Sequence, residues 1–261
     1  MLAHTVSMPA HYTHYYIARE ALEGLPDKIL HDVQPYLPVY FFGAQGADFC
    51  FFYQITNLRR KNLGSYLHRE GGLTAFQVLK TLSAYEPALF AYTLGYVTHY
   101  AADVAFHPFV YSVTNNPIDH SRIENALDRH FLTRHLKEDG ETPSFQRILS
   151  KEVLDELFFA YAAIAAKCGF PPLKKSAFLR AISIFNAYLP ISSKLSGTVA
   201  KKAPPTEKQE KTWKFEDDLA EKLFQQSVQS SISLFQSFLT SLQDNTSLLK
   251  EEFGKNYLSG V

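Results

Sequence analysis

The segment that most restricts the fold is "LGYVTHYAADVAFHPFV", residues 94–110. It is apolar enough to be a core helix, yet it carries His99, Asp103 and His107 at successive intervals of four. Residues four apart on an α-helix lie about 40° apart around the axis and about 6 Å along it, so the three share one stripe. One reading has these imidazoles bonded to neighbouring carbonyls, the common fate of a lone interior histidine. The other has a helical bundle that turns polar groups inward to hold metal, each helix supplying some of the ligands. Because His107 precedes Pro108, and a residue before proline is biased out of the α region, the helix is expected to end about there.

The next helical stretch, "IDHSRIENALDRH", repeats the device with His120 and Glu124 four apart and Asp128 one turn further. A single His-x-x-x-Glu also describes an ordinary solvated helix pair. Two consecutive helices with His-x-x-x-acid stripes favour metal, and mixed imidazole and carboxylate donors suit zinc, at Zn–N distances of about 2.0–2.1 Å. Further candidates stand upstream: His14 in "YTHYYIA", Asp48 in "GAQGADFCFFY" and His68 in "LGSYLHREGG". Each is ambiguous alone. His68 is flanked by polar residues and fits a surface position, His14 fits a solvent-facing one, and Asp48 fits the turn-capping role of many loop aspartates.

Most of the chain has helical period. Thr13 and Gly24 bound one predicted helix, and Pro26 opens a second through "DKILHDVQPYL" that closes near Pro35 or Pro38. The stretch "PVYFFGAQGADFCFFYQ" breaks the pattern, with glycines at 43 and 46 permitting turns. One or two long helices are expected over 73–106, Pro87 starting the second, followed by helices over about 119–136, 145–168 and 173–188. The polar stretch 190–212, with its Pro-Pro step, reads as a long flexible loop, either a lid or a plain connector. A helical part over 213–253 follows, with an apolar stripe at Ile232, Phe235, Leu239 and Leu242. No stretch alternates long enough for a sheet, so the expectation is an all-α protein forming a single domain over 1–261.

Composition removes some classes. The 26 basic and 26 acidic side chains balance, so no global charge recruits nucleic acid. The longest oily run, "LFFAYAAIAA", is half the length of about 20 residues that a spanning helix needs, so no transmembrane segment is expected. The first residues lack a basic segment followed by an apolar run, which reads as no signal peptide and a cytoplasmic location, with either Met1 or Met8 as the start. Cys50 and Cys168 form no close pair and fit no zinc-thiolate motif.

Taken in order, "THYYIAREAL", "GAQGADFCFFY", "GSYLH", "GYVTHYAADVAFHP" and "HSRIENALD" resemble the zinc-dependent phospholipase C family. More distantly they are similar to the single-strand-specific zinc nucleases that share its helical fold. The resemblance covers roughly the first 130 residues. It implies a multi-helix bundle with up to three zinc ions in its core. Asp48, His68, His99 and Asp103 would surround one ion, and His107, His120 and Glu124 a second. His14, with Asp103 bridging, would bind a third, and Asp128 would replace or assist Glu124 or stand behind it. Secreted members complete the third site with a processed N-terminal tryptophan; none stands there in this chain, so the count is left at two or three. The interval from Asp103 to His107 is also shorter than in the secreted phospholipases, implying a different helix geometry near Pro108.

The implied activity is hydrolysis of a phosphodiester by a zinc-activated water, with Asp48 as ligand and proton acceptor. The substrate is a phosphoester, either a phospholipid or a soluble ester. The aromatic residues Phe41, Phe42, Phe49, Phe51, Phe52 and Tyr53 around Asp48 serve substrate binding or, more simply, an aromatic core. Two other classes stay open: a nuclease built on the same site, and a non-catalytic metal-binding scaffold that uses the C-terminal helix for partners. The oligomeric state is open.

Overall fold

The computed structural model describes residues 11–53, 62–114, 117–139, 149–187 and 217–261. Among them every regular element is helical and there is no strand, as the sequence pattern predicts. The expected loop at 190–212, the start of the C-terminal helical part at 213–216, and Met1 and Met8 lie outside the described residues.

The organising element is α6, Pro87–Val113. Proline at its first turn sets φ where no N–H is needed, and buried residues occur on every side of it, as in a helix enclosed by others. Around it pack α1 (His11–Leu22), α3 (Leu37–Gly43), α5 (Gly72–Ser83), α7 (Pro117–Asp139), α8 (Lys151–Lys167) and the C-terminal helix Asp217–Gln243. A short α2 (Asp27–Val33) joins α1 to α3, and residues 175–187 form a further helix. No helix among the described residues is long and apolar enough to cross a membrane. Cys50 and Cys168 form no disulfide.

Two expectations about helix ends are corrected. The stretch from Leu37 does not break the helical pattern: Pro38 opens α3 rather than closing its predecessor, and Val39, Tyr40, Phe42 and Gly43 bury one face. α3 meets α6 backbone to backbone. A Cβ at Gly95 would lie 1.9 Å from the Tyr40 carbonyl oxygen, and one at Gly43 would lie 2.2 Å from that of Tyr92. Glycine is therefore required at both crossing points, and the crossing fixes where the following turn, which carries Asp48, can sit. The second correction is at Pro108, which lies inside α6. The bias against α geometry before proline is outweighed here by packing: Val110 is buried beyond it, and Gly260 runs so close that an added Cβ would lie 3.0 Å from Pro108 Cγ and from the Val104 carbonyl oxygen.

Candidate metal centre

Four segments deliver the candidate ligands by different local devices. Asp48 opens a 3-10 turn, Asp48–Phe52, directly after the "GAQG" turn in which Gly46 has a φ of 56°. The Gly46 carbonyl accepts a hydrogen bond from the Tyr92 hydroxyl at 2.9 Å, and Tyr92 is itself paired with the Tyr161 hydroxyl at 2.7 Å, so the turn hangs from α6 and α8. Asn62 caps the short helix α4, Leu63–Tyr66, by accepting from the Ser65 N–H, and donates to the Phe51 carbonyl at 3.0 Å. That cap locks α4 to the Asp48 turn. His68 follows in a single π-turn, Leu67–Gly71, an interruption common at functional positions. His99, Asp103 and His107 come from α6, His14 from α1, and His120 and Glu124 from α7.

All eight candidates are buried, none more than 8% exposed. The open alternatives are thereby decided: His14 and His68 do not face solvent, Asp48 makes no side-chain cap on its turn, and His120–Glu124 is not a solvated pair. The distances have a pattern. From His68 Nε2, Asp48 Oδ1 lies at 3.1 Å, His99 Nε2 at 3.3 Å and Asp103 Oδ2 at 3.5 Å. From His99 Nε2, Asp103 Oδ2 lies at 3.3 Å and Asp48 Oδ1 at 3.9 Å. Ligands about 2.0–2.1 Å from a tetrahedral zinc are about 3.3–3.4 Å from one another, the edge of that tetrahedron. The separations of His68 from Asp48 and His99, and of His99 from Asp103, thus lie near that edge, and His99 belongs to both sets.

A second group forms beside it. His120 Nε2 is 2.8 Å from Glu124 Oε1, and His107 Nε2 is 3.6 Å from the same oxygen. His107 also links the groups, its Nδ1 lying 3.6 Å from Asp103 Oδ1. His14 Nε2 approaches that oxygen at 3.4 Å, and a small cavity between α1, α6 and α7 is lined by His14, Asp103, His107 and Glu124. Four imidazoles, those of His14, His68, His99 and His107, thus approach the two oxygens of Asp103.

The donor set fits divalent metal on an independent observation. Both oxygens of Asp48, together with Asp103 Oδ2, are buried without an aligned hydrogen-bond partner among the described residues. Buried carboxylate oxygens are normally satisfied, and here their nearest polar neighbours are imidazole nitrogens. His68 is also prepared for ligation. Its Nδ1 lies 2.7 Å from the Gly64 carbonyl, and donation there leaves Nε2 as the bare nitrogen facing Asp48 and His99.

Electrostatics agree with a site short of cations. Burial raises the Asp48 carboxyl to about 6, against the pull of the adjacent His68. Burial would also raise Asp103, but His99, His107 and His14 hold it well below the usual carboxylate range. Burial pulls His107 down, yet Asp103 and Glu124 outweigh it and the imidazole rises to about 9. His99, buried among other imidazoles, is pushed well below its ordinary value. The neighbouring carboxylates thus favour a proton on His107, while burial disfavours one on His99.

Asp128 stands apart. Its carboxylate accepts the His11 N–H, the Thr13 N–H and the Thr13 hydroxyl at 2.9, 2.9 and 3.0 Å. It caps the first turn of α1 from α7 and so sets the height of His14, and it is not clustered with the candidate ligands among the described residues. Sequence reasoning missed this role, together with Gln45, whose Oε1 lies 2.8 Å from His11 Nδ1. It missed Tyr111 as well, one turn past His107, whose half-exposed ring lies 4.8 Å from His120. A continued four-residue interval was the available signal for Tyr111. No local signal existed for Gln45.

No curated protein and no solved structure matches the chain. The family model described as zinc dependent phospholipase C matches residues 13–170, more than half of the sequence and all of the candidate ligands. The chain belongs to the zinc-dependent phospholipase C family.

Proposed function

We propose that this protein is a zinc-dependent hydrolase of phosphoester bonds, phospholipase C-like, with a phosphodiester substrate. The observation that carries the reading is the set of near-tetrahedral separations among buried, hydrogen-bond-deficient donors. Asp48, His68, His99 and Asp103 would hold one ion, and His107, His120 and Glu124 a second. His14 and Asp103 supply part of a third site. Zinc bound there supplies a polarising charge on the phosphoryl oxygens and a water of lowered pKa.

The chain's own groups do the rest. Asp103 orients three imidazoles through its two oxygens and stays ionised. Asp48 presents Oδ1 to His68 at 3.1 Å, and its buried, unpartnered Oδ2 is the oxygen that would take a proton. Phe51 packs 5.0 Å from the His68 ring and covers one side of it. Most of the other aromatic residues of the Asp48 stretch are core: Phe42 and Phe49 are fully buried and stack on one another. Phe51, beside His68, and Tyr111, beside His120, are both partly open to solvent.

The test joins metal content to a substrate panel of phosphatidylcholine vesicles, a chromogenic phosphodiester and single-stranded DNA. At least two zinc ions per chain and turnover of a phosphodiester are expected, with Asp48→Asn and His99→Ala inactive but folded. Less than one zinc per chain would support a scaffold instead, and full activity in either folded variant would refute the assignment.

A further inference from the structure

We propose that residues 250–261, distant in sequence from every candidate ligand, complete the metal centre, with Tyr257 as the residue that positions His68 and His99. The inference rests on the zinc reading above and adds to it a part of the chain outside the family match.

The segment is fixed on α6 beside the ligands. The Tyr100 hydroxyl, one residue past His99, donates to the Glu252 carbonyl at 2.7 Å and accepts from the Lys255 N–H at 3.1 Å. Phe253 is buried with its ring 5.0 Å from Phe76 on α5. These contacts deliver Tyr257, itself fully buried, to the back of the ligand pair. Its ring lies 5.1 Å from the His68 ring and 6.2 Å from that of His99, and its hydroxyl donates to the Tyr96 hydroxyl at 3.2 Å.

The backbone contact is the more specific one. The Tyr257 N–H donates to the carbonyl of His68 at 2.9 Å, a bond from outside the helix to the turn that is π rather than α. A π-turn inserts one extra residue into a helix, so converting it to α geometry would rotate His68 by about 100° relative to α5. That rotation would carry Nε2 away from Asp48 and His99. An external donor on the His68 carbonyl favours the wide turn. The Tyr257 ring then fills the space over Gly72, where a Cβ would lie 2.7 Å from Tyr257 Cε1. The Gly64 carbonyl steers the imidazole from one side and Tyr257 packs against it from another. Supporting groups of this kind change metal affinity by about 10–100-fold when removed.

The experiment titrates zinc against a competing chelator and records the visible spectrum of the cobalt-substituted protein. It compares the full chain with Tyr257→Phe, Tyr257→Ala and a chain ending at Gly254. Leu157→Ala, a buried α8 position away from the ligands, controls for loss of stability alone. Tyr257→Phe keeps the ring and the N–H and should bind within about twofold of the parent. Tyr257→Ala and the shortened chain should lose about 10–100-fold in the affinity of one ion, with an altered cobalt spectrum and unchanged helical content. Parent affinity and spectrum in either folded variant would overturn the proposal, as would an equal loss in Leu157→Ala. If one variant does not fold, the other decides. A full chain holding less than one zinc would refute the metal reading itself, whereas full zinc with unaffected variants refutes only the role of Tyr257.

Discussion

Gly46→Ala tests whether the turn before Asp48 and the His99 imidazole were shaped for each other. The Gly46 φ of 56° lies in the left-handed region, which costs an L-residue about 1–2 kcal/mol. The added methyl has no room either: it would lie 2.0 Å from His99 Cδ2 and 2.4 Å from Nε2. Overpacking of that kind adds about 1–3 kcal/mol, for a total of roughly 2–5 kcal/mol. Each kcal/mol lowers Tm by roughly 2–4 °C in a domain of this size, so a fall of roughly 4–20 °C is expected. Relief requires either His99 to swing off Asp103, now 3.3 Å away, or the turn to carry Asp48 outward. Either movement dismantles the same group of donors, so zinc affinity should fall by at least about tenfold. Gly169→Ala is the matched control, with a φ of 73° and nothing within 4 Å of the added carbon. It should cost about 1 kcal/mol and leave zinc binding alone. Thermal unfolding and chelator competition on both variants give the comparison. Equal Tm shifts and equal zinc affinities would refute the steric coupling of Gly46 to His99.

Removing the cap on α1 with Asp128→Ala should cost about 2–4 kcal/mol, because three buried donors lose one charged acceptor; denaturant unfolding measures it. Zinc binding should release protons, since His107 at about 9 is protonated at neutral pH in the metal-free chain and must be neutral to ligate. Affinity should therefore climb as pH rises toward about 9 and then level off, which calorimetry in buffers of different ionisation enthalpy can follow. Tyr111→Ala removes the half-exposed ring beside His120; a ring stacked on substrate is worth about 1 kcal/mol, so KM should rise roughly fivefold while kcat and zinc content hold. A fall in zinc content instead would make Tyr111 a support for His120.

The sequence by itself determined the helical class and the identity of the candidate donors. Both are local: period 3.6 fixes the helices, and the four-residue intervals in α6 and α7 put His99, Asp103 and His107, and likewise His120 and Glu124, on single faces before any packing is known. It also carried the family signature, because the motifs between Thr13 and Asp128 are short and contiguous. Tertiary structure decided what local pattern cannot carry. Whether His14 and His68 face solvent depends on which helices cover them. Whether Pro108 ends α6 depends on packing beyond it rather than on its own preference. Asp128 and Glu124 are alike in sequence, one turn apart on the same helix; the N-terminus of α1 lies against one and the histidines against the other. Tyr257 is the extreme case, since its hydrogen bond to His68 spans most of the chain and leaves no mark in either stretch of sequence. The donors could be read from side-chain chemistry and helical phase, but the positions that aim them depend on packing between segments far apart, which only the folded chain brings together.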